Sequence, residues 1–166
     1  MDYFDIVNME VPEKKMGNLL GYKKILGKKE LPVVDGLSSN NKCIVRGGES
    51  GILDRALRRN NVIGIIIKDN ELIRMSVEEV KETDKLLFLS VHDLTCVDTR
   101  TRLRNLYRMR GLLSFATHSK AKVSLISLAE DESCLLSSIQ MIEMAKFLGA
   151  NEEQAKKMIN NLGEIQ

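Results

Sequence analysis

The sequence predicts an α/β fold built on a mostly parallel sheet, and three observations lead there. Short β-branched runs alternate with amphipathic stretches along the whole chain. The segment Ile65-Ile66-Ile67 shows no polar alternation, as expected of a strand covered on both faces. A composition of 43% hydrophobic and 29% charged residues, with a net charge of +2, is too apolar and too balanced in sign for disorder. The 166 residues fit one α/β domain spanning 1–166, with compressed units over 1–41. Roughly six or seven strands at about 25 residues per unit fall short of the ~200–250 residues of a full eight-fold barrel. The choice lies between an abbreviated (β/α) barrel and an open, doubly wound sheet.

In chain order the predicted strands cover residues 3–7, 23–26, 31–34, 42–46, 62–67, 86–91 and 122–126. The first helix, 49–60, follows the turn Gly47-Gly48 and carries Ile52, Leu53, Ala56 and Leu57 on one side. Ser76 followed by Glu79 has the spacing of a capping box and predicts a short helix over 77–83. The longest helix is 99–119, with Leu103, Leu106, Met109 and Leu113 as its packing side. A helix over 133–148 stops at Gly149, and Asn151 caps a last one running to about Leu162.

Charge is unevenly placed. Arg100, Arg102, Arg104, Arg108 and Arg110 crowd a segment that holds no Asp or Glu. At about 100° per residue Arg100, Arg104 and Arg108 form one outward stripe with Tyr107 beside them, at spacings of about 6 Å that suit neighbouring phosphates. The competing reading is a solvated face whose carboxylate partners come from other helices. Arg55, Arg58 and Arg59 form a smaller cluster at a helix C-terminus, where the helix dipole also favours cations. Gly47-Gly48 at a strand-to-helix junction could offer amides to an anion, but Glu49 opposes this and a plain tight turn is the simpler reading.

Catalytic signals are sparse. The two histidines, His92 and His118, are too few for a histidine-rich metal centre. His92-Asp93 follows a strand, where barrel sites lie, and with Asp35 and Asp69 it supports an alternative reading as a metal-dependent phosphoesterase. A second alternative is a small α/β regulatory or ligand-binding module. Cys43, Cys96 and Cys134 are odd in number and lack a C-x-x-C, which suits a reducing cytoplasm; Cys43 and Cys134 read as packing residues. No apolar run is long enough for a membrane span, and the opening Met-Asp-Tyr-Phe-Asp lacks the charge of a signal peptide.

Several segments, taken together, carry a resemblance: the strand and helix over 42–57, the buried strand 62–67, the strand 86–91 and the basic helix 99–119. Ile126-Ser127-Leu128-Ala129 continues it, and Phe147-Leu148-Gly149-Ala150 with Gln154-Ala155-Lys156 closes it. In order and spacing they resemble the archaeal and eukaryotic ribonuclease P protein called component 3, a PHP-like, TIM-like barrel, over residues 42–166. Ile126 to Ala129 stands where that family has Ser-Ser-Ala. Departures are His92 at the Arg of its R-x-L motif, and Leu136 and Ser138 at its Arg and Pro before the penultimate helix.

The resemblance implies an RNA-binding subunit of ribonuclease P, with the RNA as catalyst removing the 5′ leader of precursor tRNA. It implies no catalytic residue and no cofactor or metal on the protein, and magnesium for the RNA-catalysed step. The implied partners are ribonuclease P RNA, precursor tRNA through the holoenzyme, and a small ribonuclease P protein subunit. Arg100, Arg104 and Arg108 are the expected phosphate contacts, with Arg55 and Arg59 in addition.

Overall fold

The computed structural model describes residues 3–10, 14–37, 41–68, 73–95 and 97–161. The strands are β1 (Phe4–Ile6), β2 (Lys24–Leu26), β3 (Val33–Asp35), β4 (Cys43–Gly47), β5 (Val62–Ile67), β6 (Leu86–Ser90) and β7 (Val123–Ile126). The helices are α1 (Lys14–Leu19), α2 (Ser50–Leu57), α3 (Ile73–Glu82), α4 (His92–Thr95), α5 (Thr99–Ser119), α6 (Ser138–Leu148) and α7 (Glu152–Asn160). The predicted end of the last helix at Leu162 falls outside the described residues, as do Asp69 and Cys96.

Every strand ladder is parallel, and β3-β4-β5-β6-β7 form one sheet in chain order. That order has no reversal point, so the doubly wound alternative is wrong: such a sheet needs a place where the winding changes direction. β1 and β2 pair separately. Parallel neighbours need a crossover, and α1, which sequence periodicity did not predict, supplies it. Leu128 N donates to Ile6 O at 2.9 Å and Asn8 N to Ala129 O at 2.9 Å, setting β1 beside the end of β7. Among the described residues no ladder joins β2 to β3, so the hydrogen-bonded sheet does not close into the expected barrel.

Strand alternation sorts the core into two clusters. Phe4, Ile6, Leu31, Ile44, Ile66, Leu86, Phe88, Ile126 and Leu128 form one, with Leu26 and Val33 packed on it. All seven strands contribute and, among the described residues, no helix does, so the inner faces of the strands meet one another. The intervening residues, Val45, Ile65, Leu87 and Leu125 among them, face outward to Leu53, Val80, Met109, Leu112 and Met141 on the helices. Burying each such side chain stabilises the fold by about 1.5–3 kcal/mol.

Helix boundaries follow their caps. Ser137 and Gln140 form a reciprocal capping box that opens α6, while Ser133, the expected start, lies in a 3₁₀ turn, Glu132–Cys134. Gly149, with φ 113°, ends the helix. Asn151 and Gln154 cap α7 in the same way. Ser76 is not a cap, because α3 begins three residues earlier. Glu79 faces Asp54 of α2, and burial followed by that second carboxyl pushes it up to about 7.

Two local constraints hold the strands together. A Cβ at Gly64 would collide with the Leu86 carbonyl oxygen and come within 2.6 Å of the Phe88 ring. Asp5 is fully buried and joins β1 to β7, accepting from Ser127 N (2.8 Å), Ser127 Oγ (2.6 Å) and its neighbour Ile6 N (2.8 Å). Burial outweighs these bonds and raises its carboxyl to about 6.

Gly64→Ala is expected to lower stability by about 1–3 kcal/mol through backbone overpacking, read as a lower midpoint in urea with an unchanged slope. For Asp5, a folded value above the ordinary 3.8 means that the native state binds the proton more tightly. Its contribution is full below about pH 4 and is lost as pH rises through about 6, a change on the order of 3 kcal/mol. Asp5→Asn keeps the acceptor oxygen and removes the charge. It should flatten the stability profile between pH 4 and 7 and raise the midpoint at pH 8.

Candidate nucleic-acid interface and the strand-end layer

Helix α5 is organised by its caps and by the absence of acid. Asp98 accepts from the amides of Arg100 (3.0 Å) and Thr101 (3.1 Å) at the N-cap, and Lys120 closes the helix at φ 62°. Its buried positions are Asn105, Arg108, Met109, Leu112, Leu113 and Ala116, an i, i+3, i+4 seam. The first half of that seam is polar and the second half apolar.

Arg100 and Arg104 point outward as predicted, and neither makes an ion pair or side-chain hydrogen bond among the described residues. Arg108 does not join them. It is 9% exposed, with Nη2 3.1 Å from Asp93 Oδ2 and Nη1 donating to Lys68 O at 2.6 Å. The reason is helical drift: eight residues turn about 80° past two full turns, enough to carry position 108 from the outer stripe to the packing edge. Leu103, expected to pack, is 51% exposed, and Tyr107 is 72% exposed on the same face as Arg100 and Arg104. Arg102 donates to Val97 O, and Arg110 donates to Phe147 O while lying 5.2 Å from that ring's centre.

The second cluster stays apart from the first. Arg55, exposed on α2, donates to Gly51 O and Arg59, exposed just past the end of that helix, to Leu37 O, each at 2.7 Å. Helix α3 packs against both α2 and α5. Gly47, the last residue of β4, and Gly48 lead into α2, whose N-cap residue Glu49 makes no side-chain capping hydrogen bond. Cys43 is buried, Cys134 half-buried and His118 exposed.

A second concentration of chemistry lies at the C-terminal ends of the strands, where alternation continues the inner cluster upward. Ile6 is followed two residues on by Asn8, Leu26 by Lys28, Val33 by Asp35, Ile44 by Arg46, Ile66 by Lys68 and Phe88 by Ser90. Two residues along a strand return to the same face, so an apolar plug is capped by a polar layer. Periodicity of single strands does not reveal this layer; setting the inward series of several strands side by side does.

Two carboxylates of this layer, Asp35 and Asp93, are held by cations. Asp35 is bidentate with Arg46 (Nε to Oδ1 and Nη2 to Oδ2, both 3.0 Å) and 3.9 Å from Lys68 Nζ. The Arg46 bond holds the Asp35 carboxyl below its ordinary range. Asp93 is turned to Arg108, not to His92. His92 Nε2 lies 4.0 Å from Glu130 Oε1, which also accepts from Asn8 Nδ2 at 3.4 Å. Among the described residues no three His, Cys, Asp or Glu side chains are grouped to hold a metal ion. Nor is any described helix long and apolar enough to cross a membrane.

No protein-family model matches the sequence, and no curated protein matches it. A chain of the cryo-EM structure of archaeal ribonuclease P with mature tRNA does match in three dimensions, with a TM-score of 0.73 at 15% identity. What the two share is the fold. The likeness covers 98% of this chain and 79% of that one.

The two arginine environments predict opposite mutational responses. Arg108→Ala leaves Asp93 beneath α5 without its cation and is expected to cost about 2–4 kcal/mol. Arg100→Ala and Arg104→Ala should each stay within about 0.5 kcal/mol of the parent. Denaturant midpoints measured at pH 7 check both.

Proposed function

We propose that this chain is an RNA-binding protein subunit of ribonuclease P, of the component 3 kind with its PHP-like barrel. The observation that carries the reading is the fold likeness to a chain of archaeal ribonuclease P across almost the whole length. It agrees with the order and spacing of the segments that resemble component 3. In this reading the RNA performs the endonucleolytic cleavage with magnesium, and the protein favours the compact form of the RNA in the cytoplasm beside a small protein subunit.

The face that fits RNA is the outer side of α5. Two guanidiniums without carboxylate partners flank an exposed ring, a combination that neutralises phosphates and offers a stacking surface to an unpaired base. Arg55 on α2 and Arg59 just beyond its end add weaker contacts. Arg108 supports this face from beneath by anchoring α5 to Asp93 and to the Lys68 carbonyl. A protein-only, metal-dependent phosphoesterase has less support, because Asp35 and Asp93 are committed to Arg46 and Arg108.

Phosphate contacts release counterions, so log K against log salt should fall with a slope near −3 for about four contacts on single-strand-like counting. Arg100→Ala with Arg104→Ala should make the slope shallower by about 1.4 with unchanged thermal stability. An unchanged slope in the folded double variant removes α5 from the interface. Failure of a tagged copy to bring down ribonuclease P RNA from the native cell removes the reading itself.

A further inference from the structure

Lys42, Lys85 and Lys122 each stand immediately before a strand, β4, β6 and β7, so the parallel ladders set them in one layer at the N-terminal end of the sheet. Two hollows adjoin there. One of about 290 Å³ lies among Lys42, Asp84, Lys85, Lys122 and Asn161. The other, of about 400 Å³, lies among Lys120, Lys122, Gln154, Lys157 and Asn161, so Lys122 and Asn161 line both.

The charge of this end is one-sided. Among the described residues Asp84 is the one acid that lines either hollow, and it pairs with Lys122 at 2.9 Å. Five lysines against one aspartate leave an excess of four positive charges, in a chain whose total is +2. Lys42, Lys120 and Lys157 make no ion pair or side-chain hydrogen bond among the described residues. Lys85 donates to Arg59 O at 3.3 Å, and burial holds its ammonium below the ordinary range. Asp84 at φ 53° and Lys120 at φ 62° occupy helix ends where glycine is the less strained residue.

The larger hollow adds an apolar floor of Leu113, Ala116, Val123 and Met158, all buried. Two amides stand beside that floor. Gln154 Oε1 accepts from Asn151 N at 2.9 Å, and Asn161 Nδ2 donates to Val123 O at 2.6 Å. These bonds fix the orientation of both amides, because a backbone N–H requires the oxygen and a carbonyl requires the nitrogen. Gln154 Nε2 and Asn161 Oδ1 are left over, a donor and an acceptor next to apolar surface, which is what the edge and face of an unpaired base require. The volume lies within the ~300–1,000 Å³ of small-molecule sites.

The lysines settle whether the nucleotide is free or part of a strand. A free nucleotide needs only the cations of its own hollow, whereas these continue into the next one, where a following phosphate would lie. Bases paired in a duplex cannot reach the floor. We propose that this face binds single-stranded RNA, with one unpaired nucleotide in the larger hollow and the flanking phosphates on Lys42, Lys85, Lys120 and Lys157. The inference rests on the reading of the chain as an RNA-binding subunit and gives it a second contact face. Lys120 stands about 24 Å along α5 from Arg104, at 1.5 Å per residue.

The test measures binding of single-stranded ribotetranucleotides across a salt series, in the Arg100→Ala, Arg104→Ala background so that the outer face of α5 does not contribute. Lys120→Gly with Lys157→Ala removes two charges and relieves the left-handed residue. It should melt at or above the parent temperature, bind at least tenfold more weakly, and show a salt slope shallower by about 1.4. Thr117→Trp, at an exposed helix position on the lining of the larger hollow, fills that hollow without changing charge. It should bind at least fivefold more weakly with an unchanged slope, which separates the base from its phosphates. The proposal is overturned if either folded variant binds like the parent. Equal or tighter binding of an RNA duplex of the same length overturns it, as does equal binding of a mononucleotide or equal competition by poly-glutamate. Recovery of ribonuclease P RNA from cells is read independently of tetranucleotide binding by the purified chain, so this inference and the subunit reading fail separately.

Discussion

The structure depends on one packing constraint: the inner faces of seven parallel strands bury against each other, with no helix between them. The central strands therefore carry apolar residues on both faces, as in Ile44 with Val45 and Phe88 with Leu87. The helices need cover only the outer face. Winding in chain order follows, because a parallel crossover of constant hand sets each strand beside the previous one. Gly64 lets β5 and β6 approach without collision, and buried Asp5 ties β1 to the end of β7 where the sheet's own ladder stops.

The same constraint places the chemistry. Where the inner apolar series ends, the next inward position of six strands is polar, so charged groups converge over the plug. Helix α5 then has a divided role. Its second half seals the outer core with Met109, Leu112 and Leu113, while its first half turns Asn105 and Arg108 onto the strand-end layer. Asn105 Nδ2 donates to Asp93 O at 2.7 Å and Arg108 reaches the Asp93 carboxylate, so one residue of α4 is gripped at backbone and side chain. The solvent side of the same helix is left with Arg100, Arg104 and Tyr107. A burden of positive charge with no acid in the helix thus has two fates, pairing beneath and display above.

The sheet and the long helix were legible in the sequence because their signals are local. The run Ile65-Ile66-Ile67 is β5, and the acid-free basic stretch is α5 from Thr99 to Ser119, with the predicted bounds. Caps were readable where side chain and amide lie three residues apart, as for Asn151; Ser76 misleads because the same spacing also occurs inside a helix, and the predicted helix start at Ser133 falls in a 3₁₀ turn. The short α1 escaped because six residues give too little periodicity to recognise.

By itself, then, the sequence determined the class of fold, the parallel strands, the main helices and the location of positive charge. These rest on interactions within a few residues, which amino-acid order encodes directly. Only the tertiary structure decided that Arg108 is an internal ion-pair partner, that Leu103 is exposed, that the hydrogen-bonded sheet stays open between β2 and β3, and that Ser90, Arg46 and Lys28 share a cleft. Each of those outcomes depends on how separate elements of the chain pack together. A guanidinium's fate depends on whether a carboxylate from another element reaches it, and no local pattern records that distance.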